Sequence, residues 1–224
     1  KRPKKYKAVD PEKIIEKEKK KVESESKTLE ETLKTIKKDE KESEEHSIWI
    51  TRGIQNILYN LKELVKEANH DAAIIIEKEF FPEIVDLLLE RQEDGMLPYL
   101  VVYPDSETLD GGKIGNIKRI RSFKTCPFGI LGISDCERGL MAHGLPQVAP
   151  PERRYGIIFE EPLTPKFLSE NFYGLWKRAD SLGEEEPIKK FPKTFKSQRL
   201  AMIEAEKLLK EGEIRAKIKG HKVD

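Results

Sequence analysis

Cys136 and His143 stand seven residues apart in the stretch SDCERGLMAH. A thiol beside an imidazole is the chemistry of a cysteine nucleophile, in which the base takes the proton from sulfur. Spacing in the chain does not by itself bring the two groups together, and most Cys/His sets of this kind are structural. Acidic clusters recur at Glu160-Glu161 and Glu184-Glu185-Glu186, but a carboxylate does acid–base work only where a cleft shifts its pKa. With histidines at 46, 70, 143 and 221 and cysteines at 126 and 136, no ligand pair has zinc spacing. DGGKIG, from residue 110, is rich in glycine, yet it lacks the spacing of a phosphate loop and reads as a turn. Gly-x-Ser-x-Gly does not occur. These absences predict a protein that is not an enzyme, with no catalytic residue, no cofactor and no metal.

Ligand binding asks for less: a cleft, a few polar groups and an aromatic platform. Tyr103, Asp105, Arg121, Asp135, Glu160 and Trp176 supply those types. All six fall at or near the ends of expected strands or on the following helix, where open α/β sheets place ligands. Structural roles compete for three of them: core packing for Trp176, and an ion pair for Arg121 and Asp135.

The elements that would position these residues begin at Ile48. RGIQNILYNLKELVKEAN sets Ile54, Ile57, Leu58, Leu61, Leu64, Val65 and Ala68 on one face of a helix stopped at Asn69. AAIII (72–76) and PYLVVYP (98–104) are continuous apolar runs of strand length, the mark of strands buried on both faces. FFPEIVDLLLERQEDG between them reads as a helix ending at Gly95. Helix, strand, helix, strand predicts a parallel α/β sheet. KRIRSF, GILGISD and RGLMA read as short strands in a meander on that sheet, and YGIIFEE (155–161) as a returning strand. TPKFLSENFYGLWKRAD (164–180) reads as a helix burying Phe167, Leu168, Phe172, Leu175 and Trp176. GEEEPIKKFP (183–192) is a linker, followed by a helix around 194–210 and the alternating strand EIRAKIKGHKVD.

Upstream the composition changes. Residues 12–46 carry no Gly or Pro, and Asp10-Pro11 is an N-cap followed by proline at the first helical position. Ile15, Val22, Leu29 and Ile36 recur every seven residues, with Leu33 added to the stripe. That period predicts a coiled-coil seam between two copies. The companion positions Glu18, Glu25, Thr32 and Asp39 are polar, so the seam is thin, and a solvated helix with i,i+4 charge pairs is the competing reading. Five of the first seven residues are basic: Lys1, Arg2, Lys4, Lys5 and Lys7. Across all 224 residues, 42 Lys and Arg meet 41 Asp and Glu, so overall charge predicts no nucleic-acid binding. No apolar stretch approaches a membrane span, so no membrane partner and a cytoplasmic location are expected, with both cysteines reduced. Lys and Glu abound while Gln occurs only at 55, 92, 147 and 198, a bias that fits a thermophile.

In chain order, RPKKYKAVDPEKIIE, the long charged helix, ITRGIQNILYNLKELVKEANHDAAIIIEKEFFPEIVDLLLE, YGIIFEEPLTPKFLSENFYGLWKRAD and KGHKVD resemble the TrmB family of archaeal sugar-responsive transcription regulators. The resemblance implies an α/β fold in which a phospholipase-D-like effector domain is preceded by a long coiled-coil helix. Residues 1–10 would end the wing strand of a missing winged helix-turn-helix, and 11–47 would form the dimerising coil. Residues 48–182 would be the effector-like domain, and 183–224 a linker, a helix and the start of a C-terminal β segment. The implied partners are double-stranded DNA through the missing N-terminal domain, a mono- or disaccharide effector, and a second copy of the chain. Lys1, Arg2, Lys4 and Lys5 would then touch phosphates, which positions a protein on DNA without reading sequence. The His-x-Lys motif of phospholipase-D enzymes is absent, so the fold would serve as a binding scaffold. The alternative within the same family is an effector-independent, chromatin-like architectural protein.

Overall fold

Every residue of Asp71–Glu77 is buried, the two charged ends included. In the computed structural model this stretch lies inside an eight-stranded sheet. The structure describes residues 12, 15–27, 48–104, 116–125, 129–143, 154–161, 163–183, 185, 188 and 193–209. The chain divides into two units, Lys1–Glu45 and His46–Asp224. In the first, residues 15–27 form helix α1, braced by the i,i+4 pairs Glu16–Lys20 and Lys21–Glu25 at 2.7 and 3.9 Å. Ile15 and Val22 are exposed on it; Leu29, Leu33 and Ile36 lie outside the described residues, as do Lys1, Arg2, Lys4 and Lys5.

The second unit runs β1 (Ile48–Arg52), α2 (Ile54–Glu67), β2 (Asp71–Glu77), a 3-10 segment (Lys78–Glu83), α3 (Val85–Glu93), β3 (Leu97–Tyr103) and β4 (Ile120–Ser122). It continues through β5 (Ile130–Ser134), β6 (Arg138–His143), β7 (Tyr155–Phe159), α4 (Leu163–Trp176), β8 (Asp180–Ser181) and α5 (Gln198–Leu209). The sheet order is β1-β7-β6-β5-β2-β3-β4-β8. Among the described strands only β2, β3 and β4 pair in parallel with one another, so the expected parallel sheet is a mixed one. β5, β6 and β7 form an antiparallel meander beside β2. KRIRSF does not belong to that meander; it supplies β4, beyond β3.

Alternation along the strands divides the apolar residues between two cores. On one face Ile74, Ile76, Leu100 and Val102 meet Ile57, Leu61 and Val65 of α2 and Leu88 of α3. On the other, Ile75, Tyr99, Val101 and Ile133 meet Leu168, Phe172 and Trp176 of α4 and Ile203 of α5. Each such side chain contributes roughly 1.5–3 kcal/mol on burial. Gly132 lets α2 lie close on β5, since a Cβ there would stand 2.6 Å from Leu61 Cδ1.

Four local expectations change. β1 was not anticipated, because IWITR runs directly into the helical pattern of α2. Phe167, expected inward, is 67% exposed; the buried stripe of α4 passes instead through Pro165, Leu168, Phe172, Leu175 and Trp176. The helix expected from Phe80 begins as a 3-10 segment and becomes α only at Val85, because Pro82 disfavours the α region at Phe81. The stretch 183–192 is more than a linker, since Glu185 reaches Arg121 of β4 at 2.5 Å and Ile188 joins the core.

Candidate functional site

Five of the six expected ligand residues lie among those described, and these five do not share one site. Tyr103 ends β3 with its hydroxyl donating to the Gly129 carbonyl at 2.5 Å. Arg121 forks onto Glu185 at 2.5 and 3.1 Å, donates to the Trp176 carbonyl at 2.7 Å and lies 4.6 Å over the Trp176 ring. Trp176 is a core residue, edge-on to Tyr99 and stacked on Phe172. Asp135 lies where β2 begins, and its carboxylate accepts the amides of Asn69, His70 and Asp71 at 2.7, 2.8 and 3.0 Å. Glu160 meets Arg138 at the surface, 2.8 Å away. Asp105 lies outside the described residues.

Nor does the structure bring the thiol to the imidazole. Cys136 precedes β6 and His143 ends it, which separates them by about 17 Å of extended strand. Burial pushes the Cys136 thiol up, and its Sγ lies 3.5 Å from Ser169 Oγ. Asp135 and Cys136 both occupy the left-handed region, at φ 50° and 57°, in a turn closed by the Glu137 amide on the Ser134 carbonyl at 3.0 Å. A left-handed Cys is uncommon. The turn it completes holds the Asp135 carboxylate against three amides at once.

A different polar cluster occupies the carboxyl ends of β2 and β3. Glu77, the last residue of β2, is 2% exposed, and Arg154, just before β7, is 4% exposed. Nη1 of Arg154 stands 3.3 Å from both Glu77 oxygens, and Nη2 stands 3.7 Å from Glu79. The guanidinium lies 5.3 Å over the Phe80 ring, and its Nε has no partner among the described residues. A guanidinium offers five N–H donors in a rigid fork, and among the described residues this one spends only its Nη nitrogens on carboxylates. Burial pushes the Glu77 carboxyl up to about 7, despite the opposing pull of the Arg154 charge, and Glu79 adds to the rise. Tyr103 is the neighbour of Glu77 in the β2–β3 register. The cluster therefore combines a buried, incompletely paired cation with a carboxyl group that changes charge near neutrality. It lies where open sheets bind ligands.

Arg119 and Glu204 make the opposite kind of pair. Arg119 meets Glu204 through Nε at 2.6 Å and Nη2 at 3.0 Å, and the Tyr99 hydroxyl adds a third bond at 3.0 Å. Burial alone would raise the Glu204 carboxyl, but the Arg119 hydrogen bonds and the charges of Arg119 and Lys207 outweigh it and hold the group below its ordinary range. This pair ties α5 to the sheet. Among the described residues no three His, Cys, Asp or Glu gather as a metal site, and no helix is long and apolar enough to cross a membrane.

The sequence reading missed Glu77 and Arg154. A charge that closes a run of buried apolar residues needs a buried partner, and AAIIIE carries that signal. The partner 77 positions away carries none.

A family model described as "Transcriptional regulator TrmB, EBD N-terminal subdomain" matches residues 47–182. Among solved structures the chain is similar to TrmBL2, described as an archaeal chromatin protein with a novel mode of DNA binding. Identity is 18%, the match covers 76% of this chain and 67% of that one, and the TM-score is 0.51. It is similar also to Nuc, a phospholipase D family member from Salmonella typhimurium, at 13% identity over 61% of this chain and 99% of that one, with a TM-score of 0.50. At such identities these two likenesses are of fold. A search of curated proteins finds no match. The family match spans the sheet from before β1 to β8, and by it this chain belongs to the TrmB family of transcriptional regulators.

Proposed function

We propose that this TrmB-type regulator senses a small polar effector, a mono- or disaccharide, at the carboxyl edge of its sheet, and passes the binding to an attached winged helix-turn-helix on double-stranded DNA. The observation that carries this reading is the buried Arg154 beside Glu77, whose Nε has no partner among the described residues. A buried pair with such geometry contributes little to stability, and an apolar replacement is often neutral or better. A role in binding accounts for its presence. Sugar hydroxyls donate to a carboxylate and accept from a guanidinium, and Phe80 supplies an aromatic surface. A ligand shifts the protein between arrangements only as far as its affinities for them differ. Ile15, Val22, Leu29, Leu33 and Ile36 would join two copies, and Lys1, Arg2, Lys4 and Lys5 would meet phosphates. With no His-x-Lys in the chain, the reading includes no phosphodiesterase activity.

Thermal melting against a panel of mono- and disaccharides tests this, with the wild-type chain beside Arg154→Leu. A ligand at a hundredfold excess over Kd stabilises by about 2.7 kcal/mol. A shift lost in Arg154→Leu supports the site, and a shift untouched by that change puts the ligand elsewhere. No shift with any sugar favours the second reading, an architectural DNA-binding protein without an effector. The near-complete burial of Glu77 and Arg154 favours that reading.

A further inference from the structure

We infer that β1 is a self-complementary edge through which two copies of this chain join their sheets, antiparallel about a two-fold axis at Ile50. β1 pairs with β7 on one side and is the outermost of the described strands on the other. Ile48, Trp49 and Ile50 are 61%, 55% and 68% exposed. Outer strands in monomers are blunted by charges, Pro or bulges, and these three consecutive residues carry none.

The hydrogen-bond parity selects the register. Gly53 donates its amide to the Arg154 carbonyl at 2.8 Å, so that pair is a bonded one in the antiparallel ladder. Bonded and non-bonded pairs alternate, and in the β1–β7 register Thr51 and Trp49 also turn their backbone groups toward β7. Ile48, Ile50 and Arg52 therefore turn theirs outward. A second β1 set antiparallel about Ile50 places Ile50 against Ile50 and Ile48 against Arg52, which matches outward groups with outward groups at every step. The Asn56 side chain already donates to the Arg52 carbonyl at 2.9 Å, so in the outer pairs that oxygen would use its second lone pair for the Ile48 amide of the other copy. Ile48 and Ile50 lie on the face shared with Phe159 and Ile157, so pairing extends that apolar face into the second copy.

A five-residue strand pair buries less than the roughly 1,000 Å² of a stable interface, and it needs a tether. The inference rests here on the dimer reading of the seven-residue stripe. A coil that joined the two copies would hold the second β1 at the high effective concentration of an intramolecular partner. Two weak contacts, a thin coil and a short edge, then reinforce each other.

The test uses the whole chain in a Cys126→Ser/Cys136→Ser background, with single cysteines at Ile50→Cys, Val22→Cys and, as a control on α3, Glu93→Cys, each treated with a short bismaleimide. Covalent dimers are expected at Ile50→Cys and Val22→Cys and not at Glu93→Cys. Linking at Val22→Cys without Ile50→Cys overturns the edge pairing and leaves the coil standing. Linking at Ile50→Cys alone supports the edge pairing and overturns the coil as the tether that holds it. Linking at neither overturns both. Because Ile50 is exposed, Ile50→Lys is expected to keep the melting temperature of the monomer while weakening the dimer about tenfold by sedimentation; an unchanged dimer would overturn the proposal.

Discussion

β2 begins and ends with a buried carboxyl group, and the two ends are handled differently. At the start, Asp71 accepts the Lys196 and Ser197 amides at 2.8 and 3.4 Å, while its neighbour Asp135 spends both oxygens on three further amides. At the end, Glu77 faces a single guanidinium nitrogen at 3.3 Å. Burial pushes both Asp71 and Glu77 up. Backbone donors are fixed by the fold and make a carboxylate a structural part. A side-chain donor at long range leaves the carboxyl free to change charge. One strand thus has a locked end and an adjustable end.

Substitutions should separate the two. The largest effect is expected near the locked end, where Arg119→Leu strands an ionised Glu204 and costs about 3–5 kcal/mol in urea unfolding. Asp135→Ala leaves three amides unsatisfied and is expected to cost about 3 kcal/mol. Arg154→Leu, measured at pH 6, should cost only about 1 kcal/mol, because Glu77 can meet the loss by taking up a proton. A cost equal to that of Arg119→Leu would erase the distinction.

The pH dependence sharpens it further. Glu77 ordinarily titrates at 4.5 and does so at about 7 in the folded chain. The folded state therefore binds more protons between those values, and stability falls as pH rises through that window. Glu77→Gln should remove this slope from the melting curves. The fall due to Asp71, which is raised from a lower starting value of 3.8, should survive at more acid pH. The smallest change is expected for Glu160→Ala, whose half-exposed pair with Arg138 contributes about 0–1 kcal/mol.

What the residues reveal follows the range of the interactions that decide them. α2, β2 and β3 are legible because a 3.6-residue period or an unbroken apolar run is enough to specify each. The side of β2 on which β4 lies is not legible, because pairing across a sheet is settled by contacts distant in sequence. The same holds for the site. Trp176 packs as its bulk suggests and Asp135 caps a neighbouring segment, while the Glu77–Arg154 pair is assembled by the fold alone.

The anchoring of the segment after β8 bears on where this protein can be cut. The family match ends at residue 182, yet Glu185 holds Arg121, the Lys196 and Ser197 amides hold Asp71, and Glu204 holds Arg119. A truncation at the limit of recognisable similarity would leave two arginines and an aspartate without their counterparts, on a sheet face stripped of α5. A recombinant fragment that keeps these contacts has to extend through Glu204, well beyond the limit of recognisable similarity.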